Sequence, residues 1–148
     1  MPANGARFVL PQRVYYEDTD AAGVVYYANY LRFLERARTE WLRALGYEQR
    51  ALARDFALAF AVRSLHCEYL KPAVLDQLLN VVSQIESLGR AQLVFAQTIE
   101  AADGTATLLR ATVRVAVIKA ENLKPTALPK AMHATFKTLL ADGARIKA

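Results

Sequence analysis

The stretch whose reading decides the fold is Glu17-Asp18-Thr19-Asp20-Ala21-Ala22-Gly23-Val24-Val25-Tyr26-Tyr27-Ala28-Asn29-Tyr30. An acidic loop with Asp, Thr and Gly as breakers passes here into an apolar, aromatic segment. Upstream, residues 8–16 read as a first strand. Downstream, from about 25 to 45, Tyr30, Leu34, Ala37, Trp41 and Leu45 recur at steps of four and three, which predicts a long amphipathic helix. Arg32, Glu35, Arg36 and Arg43 supply its polar side, and Gly46 is placed to end it.

Working outward, residues 48–54 read as a shorter helix, and the chain then turns extended. Strand-like segments cover 57–70, 78–87, 91–100 and 106–118. Lys71-Pro72 breaks the first of these, and Leu88-Gly89 and Asp103-Gly104 mark tight hairpins. Strands joined by such short turns pair antiparallel, so the segments are expected in a meander or near-meander. Pro125 and Pro129 precede a last helix over about 130–141. A sheet of this kind has one apolar face to cover, and the long helix is the element large enough to cover it. The expectation is a single α+β domain over 1–148, a curved antiparallel sheet wrapped on one helix. Its edge strands are expected to pair with a second subunit, which hides their open hydrogen-bonding groups.

With 148 residues, 54% of them apolar, the chain suffices for one core. Its start shows no basic segment followed by an apolar one, and no apolar run approaches the ~18 residues of a membrane span, so a cytoplasmic protein is expected. Cys67 is the single cysteine, which excludes an intramolecular disulfide and Cys-based zinc spacing. The net charge of +5 comes from Lys and Arg scattered among Asp and Glu, a pattern that argues against nucleic acid as a partner. A few well-placed cations would equally serve an anionic ligand. Phosphate-binding and dinucleotide loops and His-rich metal motifs are absent from the sequence, so no metal or separate cofactor is expected.

Three features coincide in the opening stretch. Asp20 supplies a carboxylate, Gly23 allows close approach of the backbone to a ligand, and the free amides of the helix start near Tyr27 point at whatever lies before them. A carbonyl set against those amides would be polarised, and an oxyanion formed from it would be stabilised. The competing reading is structural, because Asp and Thr before a helix are common capping residues. Asp18 is the alternative carboxylate. Farther on, Ser64 and His66 lie two apart on a strand and so share a face, where they could line a ligand pocket or meet Asp20 across a subunit boundary. A structural role is favoured for His66, and Cys67 points the other way. Phe33 and Trp41 fit core positions, whereas Tyr26 and Tyr30 flank the acidic loop. Arg90 follows a hairpin, and Lys71 and Lys119 are weaker cation candidates. His133 is expected to be exposed.

The same run, continued by Glu35-Arg36-Ala37-Arg38-Thr39-Glu40, resembles the signature of the 4-hydroxybenzoyl-CoA thioesterase family, and within it the bacterial Tol-Pal-associated acyl-CoA thioesterases. The resemblance extends through Val62-Arg63, Tyr69, Lys71-Pro72-Ala73 and Asp76 to the strand after Gly89, roughly residues 8–120. It implies a hotdog fold and a homodimer that pairs into a homotetramer, with sites at the subunit interface. The implied activity is hydrolysis of short-chain or aromatic acyl-CoA, or acyl carrier protein, thioesters to free acid and thiol, CoA being part of the substrate. By resemblance Asp20 matches the catalytic aspartate, as nucleophile or general base, Gly23 the motif glycine, and Tyr27 the residue whose backbone N–H polarises the carbonyl. Arg90 matches the one surviving member of a basic cluster that meets CoA phosphates, and Tyr26, Ser64 and His66 become candidates for the substrate pocket. Two positions depart from the pattern: Tyr27 stands where the Tol-Pal group often has His, and Ala22 where a second Gly is common. A non-catalytic acyl-binding or scaffold protein of the Tol-Pal or phospholipid-synthesis machinery, at most in peripheral contact with the membrane, is the rival reading. Asp20 argues against it, since a binding pocket has little use for a carboxylate aimed at an oxyanion site.

Overall fold

The computed structural model describes residues 5–142 and 145–147. Its elements follow in the order β1 (Arg7–Arg13), α1 (Tyr30–Ala44), α2 (Gln49–Phe56), β2 (Leu58–Tyr69), β3 (Leu78–Leu88), β4 (Gln92–Ala101), β5 (Thr107–Lys119), α3 (Lys130–Asp142) and β6 (Arg145–Lys147), with 3-10 turns at Tyr16–Asp18 and Tyr27–Asn29. The strands form one sheet in the order β2-β5-β4-β3-β1-β6. All pairings are antiparallel except that of β6, which runs parallel to β1. Strands β3, β4 and β5 form the expected meander. However, β2 pairs with β5 along its length, Leu58↔Lys119 to Tyr69↔Leu109, and not with its sequence neighbour β3. It therefore stands at one edge of the sheet.

The long helix lies on one face of this sheet, as the hotdog reading requires. Tyr30, Phe33, Leu34, Ala37, Trp41 and Leu42 form its buried stripe, while Arg32, Glu35, Arg36 and Arg43 are exposed. Opposite them, Val81, Ile85, Phe95, Ile99, Leu109 and Val113 point inward from alternate strand positions. Each such large apolar side chain contributes about 1.5–3 kcal/mol on burial. Trp41 stacks on Phe8 with ring centroids 5.9 Å apart and meets the Phe95 ring edge-on at 6.1 Å. Its Nε1 is buried without an acceptor among the described residues, which sets roughly 1–3 kcal/mol against that packing.

Helix α1 ends where the sequence indicates. Gly46 takes φ +94°, and its N–H and that of Tyr47 close back on Arg43 O and Leu42 O at 2.9 and 2.7 Å. Its start is later than the periodicity suggests: Val25 and Tyr26 lie outside it, because their N–H groups are taken by Ala73 O and Asp18 O at 2.9 and 3.0 Å. Likewise β1 stops at Arg13 instead of running to 16, since the chain turns into its first 3-10 turn there. The terminal helix is no appendage. Met132, Phe136 and Leu139 of α3 are buried, and Phe136 meets Tyr47 with centroids 6.2 Å apart. Truncating that ring, Phe136→Ala, is expected to destabilise the protein by about 3–5 kcal/mol in urea denaturation; a loss under ~1 kcal/mol would show α3 to be dispensable to the core.

Candidate active site

Between β1 and α1 the chain makes a detour held together by one buried carboxylate. Asp18 is 6% exposed, and both its oxygens are occupied. Oδ2 accepts the N–H of Tyr15 and Oδ1 accepts Nδ2 of Asn29, each at 2.8 Å. Its backbone carbonyl accepts Tyr26 N–H. Asp18 thus ties the end of β1 to the turn that opens α1, with each carboxylate oxygen engaged by one protein donor.

Two residues on, Asp20 faces solvent. Its Oδ1 accepts Ala22 N–H at 2.9 Å, its own N–H donates to Val24 O at 2.9 Å, and its carbonyl accepts Gly23 N–H at 3.0 Å. This closes a tight turn in which Gly23 adopts φ +78°, a conformation that a side chain would strain. Oδ2 of Asp20 has no partner among the described residues. The turn's far side is stitched to the rest of the molecule by Leu75 N–H donating to Gly23 O and by a bridge between Val24 and Val74.

Tyr27 and Ala28 open the second 3-10 turn, so by position their N–H groups have no acceptor within it. Asp20, Asp18, Thr19, Tyr26, Ala28 and Arg32 line one cavity of about 340 Å³. The structure therefore brings an exposed carboxylate and the amide-bearing end of the turn to the same hollow. Tyr69, at the end of β2, donates its hydroxyl to Tyr27 O at 3.1 Å and sets its ring edge-on to that of Tyr27, centroids 6.3 Å apart. Desolvation, with smaller contributions from Cys67, Tyr27 and Tyr30, pushes the Tyr69 phenol up to about 12, so it remains a donor at neutral pH. Tyr30 accepts Ala73 N–H at 3.0 Å; burial raises its pKa, and the charge of nearby Asp20 adds to the rise.

The other sequence candidates lie elsewhere in the chain. Ser64 and His66 face outward, paired with Arg114 and Thr112, on the side of the sheet away from α1. His66 lines an outer hollow of about 440 Å³ together with Glu68, Arg110 and Thr112, and does not meet Asp20 within one chain. Cys67, half-buried against the core, and Tyr69 share the other face of β2; desolvation raises the Cys67 thiol's pKa, which works against the thiolate a nucleophile needs. Arg90 sits in the β3–β4 hairpin, an exposed position at the opposite end of β3 from the loop at 74–77 that meets Gly23. The eleven residues of β3, roughly 33 Å, separate the two within one chain. Tyr26 lines the Asp20 cavity as expected. Sequence reading missed Arg32, Tyr69 and the structural duty of Asp18. Arg32 had a local signal, being three residues after Asn29 on the same helix face. Among the described residues no group of three or more His, Cys, Asp or Glu could hold a metal.

Residues 22–108 match the family model of the thioesterase superfamily. The chain is 46% identical over 132 residues to the acyl-CoA thioesterase YbgC of Haemophilus influenzae, covering 89% of this chain and 96% of that protein. It is 47% identical over 134 residues to the acyl-CoA thioester hydrolase YbgC of Escherichia coli O6:H1, covering 90% and 98%. Its structure resembles that of a probable thioesterase from Bartonella henselae at a TM-score of 0.79 and 38% identity, covering 84% of this chain and 100% of that one.

The two loop carboxylates should separate in a stability measurement. Asp18→Ala strands the Tyr15 N–H and the Asn29 amide, and chemical denaturation is expected to show a loss of about 1–3 kcal/mol or more. Asp20→Ala, at an exposed site, should stay within about 1 kcal/mol of the parent. Equal losses would contradict this division of labour.

Proposed function

The chain belongs to the thioesterase superfamily, and on that premise we propose that it hydrolyses acyl-CoA thioesters with Asp20 as the carboxylate that drives the reaction. The observation that carries the reading is the shared cavity. An exposed carboxylate, fixed through one oxygen by its own turn and open at the other, faces the same space as the start of a 3-10 turn.

The substrate carbonyl oxygen is set against the Tyr27 N–H, where partial positive charge stabilises the oxyanion. In the general-base course, Asp20 takes a proton from water as its oxygen bonds to the thioester carbon. The tetrahedral intermediate then expels the thiolate, which takes up a proton, and the free acid remains. In the nucleophilic course, Asp20 itself attacks, the thiolate leaves, and water cleaves the mixed anhydride. Both courses use the same geometry, and neither requires a cofactor. Tyr69, through its bond to Tyr27 O, positions the turn that presents the amide.

Short-chain or aromatic acyl groups are the proposed substrates, carried on CoA or on acyl carrier protein. The rings of Tyr26, Tyr27 and Tyr69, in contact at 4.8 and 6.3 Å between centroids, provide an aromatic wall. The proposed active unit is a homodimer joined along β2, pairing into a tetramer. Support for the first step comes from the open edge of β2, where Val62, Leu65 and Tyr69 are 52, 38 and 48% exposed. The proposed compartment is the cytoplasm; no helix among the described residues is long and apolar enough to cross a membrane.

Thiol release from a panel of short-chain, long-chain and aromatic acyl-CoAs tests the reading. Asp20→Asn, which removes the charge and keeps the shape, is expected to lower turnover by ~100-fold or more. Wild-type turnover in this variant would overturn the assignment. A single turnover in ¹⁸O-water tests for the nucleophilic course: water that cleaves the anhydride at the Asp20 carbonyl leaves label in Asp20 and none in the product acid, whereas the general-base course labels the product acid and leaves Asp20 unlabelled.

A further inference from the structure

The cations of the chain are spread along it, but their surplus is not. Residues 119–148 hold six Lys and Arg against two Asp and Glu, whereas residues 1–118 hold thirteen against twelve, so four of the five net positive charges fall in the shorter segment. An asymmetry of this kind points to an anionic partner. Lys119, Lys124, Lys130 and Lys137 are all exposed, and none of them enters an ion pair among the described residues. The fold gathers them toward one end of the sheet. Lys119 closes β5, and its N–H donates to Lys124 O at 2.8 Å, which folds the following loop back on the strand. Lys119 and Pro129 line one hollow of about 400 Å³, with Glu121 as the acid in its lining, and Lys130 follows Pro129 directly as the first residue of α3. Lys137, seven residues on, shares the Lys130 side of that helix.

Two large apolar side chains accompany these cations. Leu123, at the tip of the loop between Lys119 and Lys124, is 69% exposed and takes φ +62°, a left-handed conformation that strains a bulky residue. The loop holds it there: Leu123 N–H donates to Lys119 O at 2.8 Å, and Asn122 Oδ1 accepts Lys124 N–H at 3.0 Å. Phe56, 55% exposed, ends α2 and lines the same hollow as Lys119. The two segments are tied by Ala120 N–H donating to Ala57 O at 2.8 Å. We propose that this end of the molecule docks on an anionic lipid bilayer, with Leu123 and Phe56 entering the headgroup region and the lysines meeting lipid phosphates.

The combination selects the partner. Lysines alone would serve a nucleic acid or an acidic protein, and apolar side chains alone would serve a second copy of the chain. An exposed Leu and Phe set among unpaired lysines fit a surface that takes up apolar groups and positive charge together, which is the property of an anionic membrane interface. Lysine suits that duty, because its flexible apolar stem can lie along the interface while its ammonium reaches the phosphates. Within one chain the surface stands apart from the loop site. Lys119 pairs with Leu58 at one end of β2, whereas Tyr69, which contacts Tyr27, pairs with Leu109 at the other. None of these residues lines the Asp20 cavity, so the inference stands independently of the hydrolytic reading.

Co-sedimentation of the full chain with vesicles tests the proposal without relying on turnover. Vesicles of phosphatidylcholine and phosphatidylglycerol in equal parts are compared with vesicles of phosphatidylcholine alone. Partition onto the mixed vesicles, at least about tenfold stronger than onto the neutral ones and falling as salt is raised, is expected. The triple variant Lys124→Glu, Lys130→Glu, Lys137→Glu should lose about tenfold or more of that partition. Leu123→Ser, at an exposed position, should weaken it several-fold, and decides the matter if the triple variant does not fold. No partition onto the mixed vesicles, equal partition onto both kinds, or partition that survives both variants would overturn the proposal. Parental partition of Leu123→Ser together with tight, salt-sensitive binding of a DNA duplex would also overturn it, by assigning the lysines to a nucleic acid. Failure of the thiol-release assay leaves these outcomes untouched, so the two readings fall separately.

Discussion

The loop between β1 and α1 depends on the buried carboxylate of Asp18. By accepting the Tyr15 N–H and the Asn29 side chain it joins the exit of a strand to the entry of a helix, and its carbonyl holds Tyr26 as well. A buried polar group that is fully satisfied rigidifies what it joins, whereas one left half-satisfied is costly. The consequence reaches two residues along the chain. With Asp18 anchored, the Asp20-to-Val24 turn has a fixed base, and its carboxylate faces solvent beside amides that no helix bond consumes. Two acids of the same type, one residue between them, are thereby given different duties by burial alone.

Much of the fold is legible in the sequence because it is written in local periodicity. The α1 stripe, the strands and the Gly46 stop follow from apolar spacing and from the conformational freedom of glycine. What is not legible arises from contacts between distant segments. Val25 and Tyr26 continue the apolar character of α1, yet Ala73 and Asp18 claim their amides, and the helix waits until Tyr30. The pairing of β2 with β5 joins strands separated by β3 and β4, and no local signal encodes it. The same division applies to the candidate site. Asp20, Gly23 and Tyr27 lie in one continuous run and were readable together. Tyr69 reaches Tyr27 only after the sheet has formed, and Arg90 and His66 are carried to the far end and the far face of it.

Arg38, buried on α1, had a signal that periodicity alone could have exposed. It lies four residues after Leu34 and three before Trp41, within the apolar stripe, where a charge is unexpected. Its network with Gln97, Ser83 and Leu34 O ties the middle of α1 to β3 and β4. Apolar side chains alone would let the helix slide along the sheet at little cost, because dispersion has no direction. Hydrogen bonds to a particular helix carbonyl and a particular side chain fix the register. That register in turn sets where α1 begins relative to Tyr69 and Ala73, and so where the Tyr27 turn is presented.

Strand β2 connects these two polar centres. At its end Tyr69 contacts the turn beside Asp20, and nearer its start Phe60 and Val62 wall the cavity of Arg38. Seven residues of extended chain, about 23 Å, separate Val62 from Tyr69. The strand is also an edge of the sheet, with one side hydrogen-bonded to β5 and the other open. Its Val62–Ser64 register shift bends it between the two centres and changes which face the residues on either side present. Any strand that added to this edge would run beside both cavities at once, so its register would be felt at Tyr69 and at Val62 together.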